Sequence, residues 1–251
     1  MNDFASARSL TPLAGVPAFG GALFEFLQGS TVEGRVGSPT FEVGNLHGTV
    51  GGSQVRKEGA WTVTTSLSTT FQRSYGYVAI QLDTALPHLV LDGRRNNGRL
   101  GGSSIPMPIG GGQTLSLEGD FNEYFTLHCP TGYERDALYV FTPDLMALLI
   151  DEAAPFDVEI VDDWMFVYSS KKFDATSPGV YQRLFRIVDT VGAKTLSQTD
   201  RYVDERVGSF AANYVAPQGQ RLKKGVPVAA VVITIVFIIV WALPQIMDFV
   251  S

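Results

Sequence analysis

Three histidines, His47, His88 and His128, and a single cysteine, Cys129, are the side chains best suited to nucleophilic or metal chemistry in this 251-residue chain. They lie in separate segments, and only His128 and Cys129 are neighbours. Zinc sites need ligand pairs spaced so that both side chains reach one ion. Adjacent strand residues point to opposite faces, so His128 and Cys129 do not make such a pair. Cys129 with His47 or His88 would supply a nucleophile and a base. No local signature accompanies them, and a buried structural thiol is the simpler reading. No metal and no cofactor is expected.

The carboxylates Asp157, Glu159, Asp162 and Asp163 form the densest acidic cluster. Asp157 and Glu159 alternate along a strand-like run, which puts both on one face, expected to be the solvent face, with Asp162-Asp163 at a turn. Asp151 and Glu152 near a helix end read as solvated. The glycine runs at 51–52, 101–102 and 110–112 lack the Lys-Ser/Thr continuation of a phosphate loop. Arg94, Arg95 and Arg99 share a glycine-rich stretch. Beside an anionic leaflet each contributes ~1 kcal/mol of attraction; otherwise they solubilise an exposed loop.

Around these groups the composition is that of a folded domain, with 45% hydrophobic and 18% charged residues. A formal charge of −6 argues against general nucleic-acid binding, which needs a basic surface. Twenty-six glycines and 13 prolines suit a sheet-rich architecture with many turns. A lone cysteine excludes an intramolecular disulfide and suits a reducing compartment. The N-terminal stretch carries Asp3 and is broken by Pro12 and Pro17, so it does not read as an export signal.

Residues 1–39 read as a mobile leader with one apolar patch, in which Phe19, Leu23, Phe24 and Leu27 are the candidate partner contacts. Residues 40–207 read as a soluble α+β domain, mostly antiparallel sheet with two or three helices. Its strands are FEVGNL (41–46), WTVTTSL (61–67), YGYVAIQL (75–82), HLVLD (88–92), LSLEG (115–119) and EYFTLHC (123–129). Residues 93–112 read as a long loop. Thr142-Pro143-Asp144 opens a helix expected to reach Pro155. FDVEIV (156–161) and WMFVYSS (164–170) read as a hairpin. Ser177-Pro178 opens a second helix with Tyr181, Leu184, Phe185 and Val188 on one face. A third helical stretch is expected over 200–207, and 208–224 reads as a polar linker.

Residues 228–243, VAAVVITIVFIIVWAL, contain a single polar side chain, Thr234. Extended to Val250, the run is long enough for a bilayer core of ~30 Å. Its Val, Ile, Leu and Phe residues favour insertion by about 4 kcal/mol in sum, which exceeds the ~3 kcal/mol that Asp248 would cost even at mid-bilayer. Residues 225–250 are therefore expected to form a transmembrane helix. Arg221, Lys223 and Lys224 flank its N-terminal end and no Lys or Arg follows it, so the positive-inside preference holds residues 1–224 on the cytoplasmic side.

Residues 115–168 carry Glu118-x-x-Phe121-Asn122, Phe125-x-Leu127 and Thr142-Pro143-x-Leu145-Met146 ahead of a strand pair. Over residues 40–206 the chain resembles an uncharacterised family of bacterial membrane-associated proteins. The resemblance implies a compact α+β module attached to membrane helices, and brings no activity and no functional residues. The chain differs from members with N-terminal spans in carrying its span at the C-terminal end.

The expected function is that of a membrane-tethered, non-catalytic interaction module whose partners are the bilayer and another membrane-proximal protein, with no small-molecule ligand. The alternatives are a membrane-bound hydrolase using carboxylates or Cys129, and an accessory subunit packing through Gln245 or Asp248. The full-length chain should stay with membranes through alkaline extraction, and a fragment of residues 1–220 should be soluble. Recovery of the full-length chain in a detergent-free high-speed supernatant would refute the anchor.

Overall fold

The computed structural model describes residues 11–12, 28–38, 40–58, 61–98, 103–105, 109–174, 176–207 and 213–225. An antiparallel sheet is built on β4 (Trp61–Gly93), a strand of 33 residues. β3 (Phe41–Glu58) pairs with it from Glu58↔Trp61 to Phe41↔Ile80. β7 (Asp157–Ser169) takes the other edge from Gly76↔Ser169 to Leu91↔Val158. Where β3 has ended, β6 (Phe125–His128) pairs with residues 90–93. β2 (Gln28–Ser38) and β1 (Thr11–Pro12) extend the sheet beyond β3, and β5 (Thr114–Leu115) extends it beyond β6.

The sequence divides β4 into separate runs because Pro87 lacks a ladder N–H. The strand continues through it because the pairing with β7 is irregular between Gln81, Leu86 and Leu89, where a missing donor is tolerated. β7 is likewise one strand and not the expected hairpin. Asp162 takes a positive φ of 54° and bends the strand in step with that irregularity, and both halves keep the same partner.

The α+β class is confirmed. The helical segments are shorter and more numerous than expected: α1 (Phe121–Tyr124), α2 (Glu134–Val140), α3 (Pro143–Leu148), α4 (Pro178–Ile187), α5 (Ala193–Thr199) and α6 (Pro217–Gln220). α3 begins at the expected Thr142 cap and continues as a wider turn through Leu149–Ala153. α4 buries Tyr181, Leu184 and Phe185, as its spacing predicts, and runs through Val188–Gly192 into α5. The third helix therefore lies ahead of 200–207. There the chain turns instead, because the Asp204 carboxylate takes the N–H of Arg206 and of Ala216.

One face of the sheet, with Val78, Ile80, Leu89, Leu91, Val158 and Ile160, packs under these helices as the main core. The other carries Tyr75, Tyr77, Ala79, Phe166 and Tyr168, and beside them a small cluster of Val90, Ile105 and Leu222. Three expectations are corrected here. Residues 28–38 belong to the sheet and not to a mobile leader. Residues 213–225 are no linker: they form a strap whose Val215 packs into the main core and whose Leu222 packs on the second face with Val90 and Ile105. The described parts of 93–112 are likewise no free loop, since Ile105 and Ile109 pack with Val90 and Leu222. The leader patch at Phe19, Leu23, Phe24 and Leu27, Arg99, and the apolar run from 226 onward lie outside the described residues. Among those described, no helix is long and apolar enough to cross a membrane.

A Cβ placed on Gly219 of the strap would lie 2.3 Å from the Tyr133 ring. Gly219→Ala should cost about 1–3 kcal/mol through overpacking, read as a lowered urea midpoint. An unchanged midpoint would show that the strap contributes nothing to stability. The soluble fragment should end at 225, since a cut at 220 removes Leu222 and Lys223.

Candidate functional site

Strand alternation puts His88, Val90 and Asp92 of β4 on the second face, with Asp157 and Glu159 of β7 beside them. The alternation of Asp157 and Glu159 is as expected, but they do not face solvent. They are 2% and 1% exposed, because the strap and the loop around Ile105 cover that face.

Each strap residue from 221 to 224 is held to the domain. Arg221 makes a two-pronged ion pair with Asp162, 2.8 Å at each contact; both side chains are nearly half exposed, which limits its worth to under about 1 kcal/mol. The Leu222 N–H donates to His88 Nδ1 at 3.1 Å. That bond makes Nδ1 the acceptor and leaves the ring hydrogen on Nε2, which donates to Glu159 Oε1 at 2.8 Å. The Tyr168 hydroxyl donates to the other Glu159 oxygen at 2.8 Å. Gln113, 3% exposed, then acts as a one-residue strand: its Oε1 accepts the Lys223 N–H at 2.8 Å and its Nε2 donates to the Lys223 carbonyl at 2.9 Å. Gly110 donates to the same carbonyl, and Ile109 bridges to Lys224. Backbone passes so close to backbone here that a Cβ on Gly225 would lie 2.7 Å from the Ile109 oxygen.

Next to this seat the turn at 93–98 is pinned to the sheet. The Arg94 N–H donates to the Tyr124 carbonyl at 2.8 Å, and the Arg95 guanidinium lies over the Tyr124 ring at 5.0 Å. Both arginine side chains are exposed, as are Lys223 and Lys224. The Asp157 carboxylate accepts the Gly93 N–H at 2.8 Å and, on its other oxygen, the Ser104 hydroxyl. Ser103 and Asn97 lie beside Asp92 and favour its charged form, while its Oδ1 is buried without a partner. Burial raises both carboxyls, Asp157 to about 6.

This arrangement is poor in catalytic features. Both His88 ring nitrogens are occupied. Cys129 is buried, its thiol pushed up to about 11 by desolvation and by the charges of Glu134 and Asp136, so it carries no thiolate for attack. His128 sits on β6 with its Nδ1 toward Thr114, and His47 bonds Ser74 at the far end of the sheet. Among the described residues no three His, Cys, Asp or Glu side chains converge on one point. A shallow cavity of about 300 Å³ opens where Asp162 and Asp163 meet Asn213 and Tyr214 at the strap edge. Comparison with known families, with curated proteins and with solved structures returns no match.

Of the residues singled out in the sequence, the structure brings Asp157, Glu159, His88, Arg94 and Arg95 into one region, with Lys223 and Lys224 at its border. Asp92 and Gln113 were missed. The signal for Asp92 was its place at a strand end just ahead of Asn96-Asn97 and Ser103-Ser104; Gln113 had none.

Asp157 links stability to pH. Its folded carboxyl holds a proton more tightly than the ordinary 3.8 of the unfolded chain, so its contribution is most favourable below that value and is lost as pH rises to about 6. The loss amounts to about 3 kcal/mol by pH 7. The like charge of Asp92 adds to it, and Arg94 on the turn and Tyr75 beneath complete the surroundings. Asp204 acts in the opposite sense. Burial pushes it up, but bonds from Ala216, Tyr133 and Arg206 bring it below its ordinary value. The readout is therefore a difference: Asp157→Asn should gain stability over wild type at pH 7 and lose that gain at pH 4, in thermal melts of the detergent-solubilised chain in excess chelator.

Proposed function

We propose that this protein is a membrane-apposed, non-catalytic interaction module, held at the cytoplasmic face by a C-terminal span and acting on another membrane-bound protein. The observation that carries this reading is the strap. It is seated on the domain to Gly225, and three peptide steps from there to Val228 cover at most about 10 Å. A 17-residue flexible tether would let the domain search over roughly 20–25 Å. The docked strap instead fixes which side of the domain lies next to the bilayer.

Lys223 and Lys224 end that side as exposed cations, and Arg94 and Arg95 lie across the loop that packs against Leu222. An anionic leaflet matches all four, at ~1 kcal/mol for each that reaches it. Arg221 serves Asp162 instead. The helical layer faces away from this side, and there Tyr139, Val203 and Leu138 are 41%, 64% and 51% exposed. Exposed apolar side chains grouped on α2 and beside Tyr202 suit contact with a protein partner, and confinement near the membrane lets a weak interface suffice.

The buried Cys129 permits single-site labelling through introduced cysteines. A fluorophore on Lys224→Cys or Arg95→Cys in reconstituted vesicles should be quenched by headgroup nitroxides, and one on Lys194→Cys in α5 should not. Equal quenching at all three positions would refute the fixed orientation. An impermeant thiol reagent should label Lys224→Cys only after cells are permeabilised; labelling in intact cells would place the domain on the other side.

A further inference from the structure

Neither the membrane-facing residues nor the partner surface uses the two most closely matched acids in the fold. β4 and β7 run antiparallel with Leu91 opposite Val158. One step on, Asp92 and Asp157 stand opposite each other on the same face, where directly facing residues hold their Cβ atoms about 4.5–5.5 Å apart. They are 8% and 2% exposed. Like charges so placed are destabilising, and a buried carboxylate pair persists only where something neutralises it. Among the described residues neither acid has an ion-pair partner. Arg94 acts on Asp92 from an exposed turn, without reaching salt-bridge distance.

The surrounding donors are all oxygen-bearing and all come from one excursion of the chain. Asn96 lies against Asp157, yet neither of its amide atoms makes an aligned hydrogen bond, and both are buried. Asn97 and Ser103 reach Asp92, and Ser104 reaches Asp157. The second Asp92 oxygen is buried with no partner at all. Two carboxylates, two carboxamides and two hydroxyls, with no nitrogen or sulfur ligand among them, match the preference of a hard divalent cation.

The geometry points to Asp92 and Asp157 as the anionic half of a binding site for a magnesium- or calcium-class ion, completed by Asn96 and the hydroxyls of Ser103 and Ser104. The ion's two positive charges cancel the pair's two negative ones. Its coordination joins the β4 end, the β7 start and the 103–105 segment, so it stiffens the loop that packs under Leu222. Calcium accommodates irregular sets of six to eight oxygens, whereas magnesium keeps several waters and needs fewer protein ligands; selectivity between them reports how completely the loop encloses the ion.

The test uses the full chain in detergent, stripped with chelator and titrated separately with CaCl₂ and MgCl₂. One cation should give single-site calorimetric binding with a dissociation constant of about 1 mM or tighter, together with a rise in melting temperature. Asp92→Asn should abolish both, and Asp163→Asn, outside the site, should leave them unchanged. Terbium on the wild-type chain gives a readout that needs no variant to fold. Tyr75, whose hydroxyl lies 3.4 Å from the Ser104 carbonyl, should sensitise its emission, and the preferred cation should displace it. The proposal is overturned by the absence of heat, melting shift and sensitised terbium at about 10 mM cation, well above the weakest natural range. It is equally overturned if binding survives in Asp92→Asn, or if acid stabilises the stripped protein while neither cation does, which would assign the neutralising role to a shared proton.

Discussion

A sheet face that holds charged and hydrogen-bonding groups can be buried only if each of them finds a partner, and that requirement organises this molecule. His88, Asp92, Asp157 and Glu159 occupy such a face at no more than 8% exposure. An unpaired polar group left there costs about 1–3 kcal/mol, more if charged. The cover must therefore be polar in the right places. The strap presents backbone N–H groups to His88 and Gln113, and the 103–105 segment presents a hydroxyl to Asp157. The apolar contacts of Leu222, Ile105 and Val90 seal the gaps between.

The position of that polar row is set by β4. Its first half carries β3, its second half carries β7, and its last residues take β6 on the edge that β3 has left. One strand thus aligns three partners, and the row His88–Val90–Asp92 inherits its position from that alignment. Tyr133 and Asp204 do for the strap's first half what His88 and Gln113 do for its second. Tyr133 supports Gly219 and bonds Asp204, which takes the Ala216 N–H.

Local chemistry was readable in the chain wherever it was decided locally. The β-branched and aromatic runs at 41–46 and 75–82 are strands, and the Thr142-Pro143 and Ser177-Pro178 starts open helices because a proline at the first helical position needs no partner for its nitrogen. What was not readable depended on pairing at a distance. Asp162-Asp163 has the composition of a turn, and only the continuous ladder with β4 shows it to be a bend. The polarity of 213–224 suggests a linker because its partners, His88 and Gln113, lie more than a hundred residues earlier. Period-two alternation placed Asp157 and Glu159 on a common face correctly, but which face is wet depends on what crosses it. Asp92 drew no notice for the same reason, since its distinction is the residue opposite it.

That dependence on a late segment has a consequence during synthesis. His88 is made 134 residues before the Leu222 N–H that it holds, and Gln113 is made 110 residues before Lys223. At about 5–20 residues per second, on the order of ten seconds separate His88 from the strap, and the second face of the sheet stays wet until Leu222 arrives. The nascent domain is thus half-closed, with a row of acids open to water, ions and chaperones, and it closes when the strap emerges.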